Sequence, residues 1–295
     1  MKSEQKSISR WQAWGVLILL SLIWGTSYIL IKKGLVYFSP MEVGCLRLSI
    51  SFLAFLPFLA HHIKKIKQSQ VFTLLLVGLT GTALPSILFP IAQQWISSSL
   101  TGIINSMTPL FTLLLGLLFF KAHFSWSKII GIIIGLLGAA SLFIFGEDAG
   151  MGSNWAYGFF IILACLCYAA SSNIVGFNLK GLSAMTISTV SFSMVGIPMT
   201  LYLFFGTDFI HIMQHTTGAW QGLGYVTILA LLSTVIASIL YFQLVQWTSP
   251  VFSSTISYLV PAVAVGWGIF DGEVISWVHF SAMAIILVGV YLTRE

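Results

Sequence analysis

Charge is what this sequence has least of. Charged residues make up 7% of its 295 residues and hydrophobic ones 58%, whereas soluble domains carry about 25% charged residues. So few charges could not cover a water-facing surface, which excludes a soluble fold and makes the chain an integral membrane protein. Cysteine is also scarce. Cys45, Cys165 and Cys167 are odd in number and lie inside apolar runs, which excludes a secreted disulfide framework. Cys165 and Cys167 stand two apart, so their thiols point to different helix faces and read as packing. Ten-residue stretches of alternating hydrophobicity are missing, which excludes a lipid-embedded barrel. There is no His-Glu-x-x-His, no Gly-x-Ser-x-Gly and no pair of aspartates within an apolar run, so neither an intramembrane enzyme nor a catalytic residue is expected. His211 and His215 have a metal-compatible spacing but no carboxylate ligand beside them. No metal and no cofactor is expected.

What is present is long apolar runs. About 20 residues cross the hydrocarbon layer at 1.5 Å rise per residue, and ten runs meet that length: roughly 13–32, 41–60, 71–91, 100–120, 127–145, 155–176, 185–205, 220–241, 250–270 and 277–292. The last is the shortest and carries His279. The first is as long as the others and lacks a small-residue cleavage site, so it reads as a span rather than a signal peptide.

The positive charges follow the loops. With a cytoplasmic N-terminus, the inner side holds Lys2, Lys6, Arg10, Lys64, Lys65, Lys67, Lys121, Lys128, Lys180 and Arg294, and the outer side only Lys32 and Lys33. That bias predicts both termini in the cytoplasm, with Glu147, Asp148, Asp208, Asp271 and Glu273 outside. The basic run HHIKKIKQ, His61 to Gln68, reads as a topology-setting loop, with attraction to anionic lipid head groups as the alternative. A net charge of +5 distributed this way forms no nucleic-acid-binding face. The expected partners are a small-molecule substrate and the lipid bilayer, and nothing argues against a monomer.

The chain repeats itself. AQQWISSSLTGIINSMTP, Ala92 to Pro109, returns as LVQWTSPVFSSTISYLVP, Leu244 to Pro261, with Gln94, Trp95, Ser97, Ile104 and Pro109 matched by Gln246, Trp247, Ser249, Ile256 and Pro261. Ser39-Pro40-Met41 before the second run matches Ser183-Ala184-Met185 before the seventh. Ser125-Trp126 matches Ser276-Trp277, and Gly138 matches Gly289. Each unit therefore holds five helices, over 1–146 and 154–295. Five is odd, so the second unit crosses in the opposite sense. The fold expected is an all-α membrane domain of ten transmembrane helices built as two inverted-topology five-helix repeats, an arrangement with two nearly equivalent shapes around one central site.

Polar residues inside the runs mark that site. The fourth run carries Thr101, Asn105, Ser106 and Thr108 before Pro109, and the ninth carries Ser253, Ser254, Thr255, Ser257 and Tyr258 before Pro261. Positions 101, 105 and 108 share a helix face, as do 253, 257 and 261. A proline frees a carbonyl one turn earlier, for substrate or for a neighbouring hydroxyl. These faces line a cavity or bond to neighbouring helices. Trp24, Thr26, Ser27 and Tyr28 in the first run, with Tyr168, Ser171, Ser172 and Asn173 in the sixth, lie at mid-membrane depth. Trp24 and Tyr168 are cavity wall or core. Ser238, Tyr241 and Gln243 follow in the eighth run, and Pro85 and Ser86 in the third. Arg47 is a basic residue well inside a run: it binds an anion, snorkels to the surface, or bonds to carbonyls across a helix interface. Gly131, Gly135 and Gly138 have the spacing of close helix contact. The candidate substrate-binding set is Trp24, Ser27, Tyr28, Arg47, Ser86, Asn105, Thr108, Tyr168, Ser238, Tyr241, Ser257 and Tyr258.

The stretches SLIWGTSYILIKKGL, SPMEVGCLRLSISFLA, SSLTGIINSMTPLFTLLL and SSTISYLVPAVAVGWGIFDGEVIS resemble the EamA-type branch of the drug/metabolite transporter superfamily, along nearly the whole chain. The matching residues are Trp24, Gly25, Arg47, Pro109, Pro261 and Glu273. The resemblance implies a ten-helix inverted-repeat carrier of the bacterial inner membrane, exporting amino acids, other small metabolites or toxic compounds from a central cavity. The sequence departs from the family after the fourth run, where Phe120-Lys121-Ala122-His123 stands in place of a second Gly-Glu.

No carboxylate lies deep in any run, which disfavours a proton-coupled exporter of cations. Arg47 alone is too little for a phosphorylated substrate. The expected function is alternating-access export of small neutral or zwitterionic metabolites such as amino acids. An uncoupled facilitator or a drug exporter of the same fold is the alternative.

Overall fold

The computed structural model describes residues 9–120, 126–145 and 152–293. Lys2, Lys6, Lys121, Ala122, His123, Ser125, Glu147, Asp148 and Arg294 lie outside them. Among the described residues all regular structure is helical. We label the long elements α1 (Arg10–Gly34), α2 (Pro40–Ile63), α3 (Gln68–Gln93), α4 (Ser98–Phe119), α5 (Trp126–Ile144), α6 (Gly158–Asn178), α7 (Ala184–Gly206), α8 (Ala219–Trp247), α9 (Pro250–Phe270) and α10 (Trp277–Thr293). Eight of these are long and apolar enough to cross a membrane, and α5 and α10 are shorter apolar helices. A short helix, Phe209–His215, lies between α7 and α8. Phe205, Trp220 and Phe270 are among the large apolar side chains left on the outside, as lipid-facing surfaces require.

The repeated serines are helix caps. Ser39, Ser97, Ser183 and Ser249 each accept a bond from a backbone N–H in the first turn of α2, α4, α7 and α9, satisfying donors that would otherwise be orphaned. At α2 the Glu42 carboxylate returns a bond to the Ser39 N–H at 2.8 Å, with Pro40 opening the helix.

Irregularities also recur at matched places. A π-helical segment interrupts α3 at Leu79–Ala83 and α8 at Leu229–Ile236. Ahead of Pro109, α4 tightens at Ser106 and Met107, and ahead of Pro261, α9 passes through a 3₁₀ turn at Thr255–Tyr258. The Asn105 carbonyl, which Pro109 cannot bond, accepts the Thr108 hydroxyl at 2.8 Å. That is the compensation expected of a freed carbonyl in an apolar interior.

One apolar core runs through both halves, drawing Leu17, Leu100, Ile104, Ile161, Leu229, Ile256 and Ile286 into a single cluster. α5 and α10 pack against each other through glycine. A Cβ on Gly289 would meet the backbone of Gly131 and Gly135, and one on Gly138 would meet Ile285 and the Ile286 amide. Gly135 is also pressed by Leu110 of α4. Gly131, Gly135 and Gly138 thus take part in the close contact their spacing predicts.

In detergent, Gly289→Ala is expected to lower the thermal midpoint by the equivalent of about 1–3 kcal/mol, because backbone must give way. Gly266→Ala, whose Cβ meets nothing within 4 Å, is expected to leave it unchanged. Equal midpoints for the two variants in a melting scan would contradict this packing.

Candidate functional site

The irregular helices surround one pocket between the halves. Trp24, Ser27 and Tyr28 reach it from α1, Arg47 from α2, Asn105 and Thr108 from α4, Tyr168 from α6, Ser238 and Tyr241 from α8, and Ser257 from α9. Ser86 and Tyr258, the other two of the twelve candidates, lie outside the lining. Ser86 is buried beside Gly44 of α2, and Tyr258 packs at the edge of the large core.

Aromatic rings form much of the wall. Trp24 and Tyr241 have centroids 5.1 Å apart, and Phe89 stacks on Tyr168 at 5.9 Å and meets Tyr28 at 5.7 Å. Hydrogen bonds fix their orientation. The Trp24 indole donates to the Ser233 carbonyl at 2.9 Å, and the Tyr241 hydroxyl to Ser172 at 2.9 Å. Ser233 lies in the π-helical segment of α8, where carbonyls leave the regular ladder, so the indole takes up an acceptor that the helix does not use in the usual register. Trp24 and Tyr168 are wall on one side and pack against the core on the other.

Part of the polar lining comes from the helix breaks. The Asn105 side-chain oxygen is approached by the Thr108 hydroxyl at 3.3 Å and the Cys165 thiol at 3.5 Å. Cys45, Cys165 and Cys167 are all buried free thiols. Arg47 does not snorkel. Its side chain is 6% exposed and its Nε donates to the Thr234 hydroxyl of the α8 π-segment at 2.6 Å.

Ile31, Gly81, Phe89, Ser171, Phe242, Ser253, Ser254 and Ile256 complete the lining. Ser171, Ser253 and Ser254 stand out in the sequence as polar residues within apolar runs. The apolar members carry no such mark. Gly81 carries no such mark either; it lies in the α3 π-segment, where a Cβ would collide with the Ser171 hydroxyl.

A second cluster ties one end of the bundle together. Lys32 of α1 pairs with Asp271 at 2.7 Å and Glu273 at 2.8 Å, and Lys33 pairs with Asp271. Glu273 also caps α4: one carboxylate oxygen accepts the N–H and hydroxyl of Ser98 at 3.0 and 2.7 Å, the other those of Ser99 at 3.0 and 2.6 Å. An anion at a helix N-terminus meets both the free donors and the positive dipole end. Gly272 turns the chain at φ +80, and Gly268 lets α9 approach, since a Cβ there would strike Ser99 and the Glu273 carboxylate. Burial pushes the Glu273 carboxyl up, but Lys32, the Ser99 and Ser98 hydroxyls and the Ser99 amide outweigh it and hold it at about 2. Lys32 and Lys33 likewise hold Asp271 below the ordinary carboxylate range.

Elsewhere the motifs are structural. His62 of the basic run is buried and bonds to Thr186 at the start of α7, 2.8 Å away. His211 and His215 stack on each other at 4.4 Å, and no group of three metal-ligating side chains occurs among the described residues.

Comparison with known proteins agrees with this architecture. The EamA-like transporter family matches twice, over residues 12–144 and 155–294. An uncharacterized transporter of Archaeoglobus fulgidus is 23% identical over 283 residues, 95% of this chain and 97% of that protein. The uncharacterized inner membrane transporter YedA of Escherichia coli is 26% identical over 286 residues, 94% and 89% of the two chains. The uncharacterized transporter YdfC of Bacillus subtilis is 29% identical over 274 residues, 90% and 82%. A solved crystal structure superposes with a TM-score of 0.65 over 96% of both chains at 15% identity, a likeness of fold.

Glu273→Gln is expected to lower the thermal midpoint at pH 7 by the equivalent of about 2 kcal/mol, the scale of hydrogen bonds to a charged group. A depressed carboxyl stabilises the fold fully above its unfolded value of about 4.3 and loses that contribution only as pH falls toward about 2. The difference between wild type and variant should therefore hold from pH 8 to 5 and narrow below 4. A difference that vanished between pH 7 and 5 would contradict the assigned ion pairs.

Proposed function

The chain belongs to the EamA-like transporter family, and from that premise we propose that it is a ten-helix secondary transporter working by alternating access, exporting small neutral or zwitterionic metabolites such as amino acids. It is a multi-pass membrane protein. In this reading α5 and α10 complete the ten spans, the two five-helix halves are threaded in opposite senses, and the membrane is the cytoplasmic one with both termini inside. The relatives named as inner membrane transporters support the location, and the lysine and arginine bias supports the orientation.

The observation that carries the proposal is the pocket's position. It is lined from α1 to α4 of one half and from α6, α8 and α9 of the other. Its helices are broken at matched places where regular packing can give way. Substrate sites of inverted-repeat transporters are built at such a repeat interface from interrupted helices. The Lys32–Asp271–Glu273 cluster then serves as an outer latch, joining α1, α9 and the start of α4. The inner counterpart of Glu273 is replaced by the Lys121-Ala122-His123 departure, so the two gates differ in strength.

Proteoliposomes containing the purified chain should take up radiolabelled amino acids saturably, with faster uptake when unlabelled amino acid is preloaded. Trp24→Ala should reduce that uptake by about tenfold, the factor equivalent to 1.4 kcal/mol, since the indole spans α1 and α8. Saturable uptake with no preloading effect would favour a facilitator, and absence of saturable uptake for every amino acid would overturn the substrate assignment.

A further inference from the structure

We propose that Arg47 is the carboxylate anchor of the pocket, and that the solute is a small organic carboxylate, free or zwitterionic, whose aromatic or apolar body lies against the Trp24–Tyr241 and Phe89–Tyr168 pairs. This rests on the transporter reading and names the chemistry of its substrate.

Arg47 enters the pocket from α2 and is nearly fully buried. Its Nε donates to the Thr234 hydroxyl and the guanidinium also bonds to the Tyr168 phenol. Two partners do not use up its five N–H donors, and the terminal fork is the part that matches a carboxylate bidentately. The polar groups around it, Thr234 and the phenols of Tyr28 and Tyr168, are neutral. They orient the cation without cancelling its charge.

No acid on the described protein is placed to do so. Glu42, on the same helix, bonds back to the Ser39 N–H. Asp271 and Glu273 are committed to Lys32, Lys33 and the start of α4. Asp208 lies between α7 and the short helix that follows it. No carboxylate lines the pocket. A lone guanidinium in a space shielded from water is costly unless an anion meets it, and here that anion comes with the solute.

The repeat sharpens the point. α2 and α7 start from matched serines, Ser39 and Ser183, and the residue corresponding to Arg47 in α7 is Ser191. The cavity thus carries its positive charge on one side only, which fixes the carboxylate end of the solute against α2 and α8. The aromatic pairs are left to meet the remainder. A solute whose only charge is positive would face Arg47 with no counterion and should be rejected.

Three probes of one shape separate the chemistries: 3-phenylpropionate, 3-phenylpropionamide and 3-phenylpropylamine, each titrated against the purified full chain with thermal midpoint and tryptophan fluorescence as readouts. The acid is expected to bind at least about tenfold more tightly than the amide, and the amine not at all. Arg47→Gln should erase the acid–amide difference, and Arg47→Lys should keep part of it. Should Arg47→Gln fail to fold, Thr234→Val, which frees Nε but leaves the charge, should retain acid preference while weakening binding.

Equal binding of acid and amide, preference for the amine, or no response to any probe would each overturn the carboxylate assignment. Transport is scored separately. Saturable uptake without acid preference keeps the transporter reading and removes the anchor. Acid-selective binding without uptake of labelled 3-phenylpropionate into proteoliposomes keeps the anchor and removes transport of this class.

Discussion

A backbone carbonyl or amide inside hydrocarbon must find its partner within the protein, and this constraint decides where the helices of this chain are allowed to be irregular. The π-segments of α3 and α8 and the pre-proline turns of α4 and α9 would each leave groups unpaired against lipid. Each instead turns part of its circumference inward, and groups freed in α8 and α4 are used there: the Ser233 carbonyl by Trp24 and the Asn105 carbonyl by Thr108, with the Thr234 hydroxyl taken by Arg47. Irregular backbone, side-chain orientation and pocket are therefore one feature. The aromatic wall is held in orientation at its polar ends, the Trp24 indole by the α8 π-segment and the Tyr241 phenol by Ser172 of α6.

One end of the bundle is tied by charge: a carboxylate with a strongly depressed pKa joins three helices, which gives an electrostatic contact that persists across the physiological pH range. The glycines at 268 and 272 exist to let that carboxylate reach the α4 amides. Elsewhere, the α5–α10 pair contributes glycine packing and nothing to the pocket lining, a scaffold role beside the moving parts proposed for the transport cycle.

Much of this was legible in the residues. Apolar length alone placed all ten long helices within a few residues of their observed ends. The largest difference is α8, predicted to span 220–241 and observed to reach Trp247, because the apolar run thins at Gln243 and Gln246. Phe242, Leu244 and Val245 are in fact buried there, and the Gln246 amide is satisfied by the Leu182 carbonyl at 2.7 Å. Ten of the twelve candidate residues meet at the pocket because polar side chains in apolar runs have few other places to go. Ser86 and Tyr258 do not line it: Tyr258 is off the face that Ser253 and Ser257 share, and Ser86 is buried beside Gly44 of α2. LTGTA and LALLSTVI carry no recognisable π signature, so Gly81 and its neighbours could not be read out. The Lys32–Glu273 contact spans 241 residues. Its partners could be assigned to one side of the membrane from the sequence, but not paired.

The central claim is that the second half is threaded upside-down relative to the first, so that one pocket serves both compartments. Its most direct test is labelling of single cysteines by a membrane-impermeant maleimide in right-side-out vesicles, with Cys45, Cys165 and Cys167 replaced. The account predicts that cysteines at positions 64 and 180 are both protected until the vesicles are opened, while one at position 33 reacts at once. Labelling of 64 and 180 from opposite faces would contradict it.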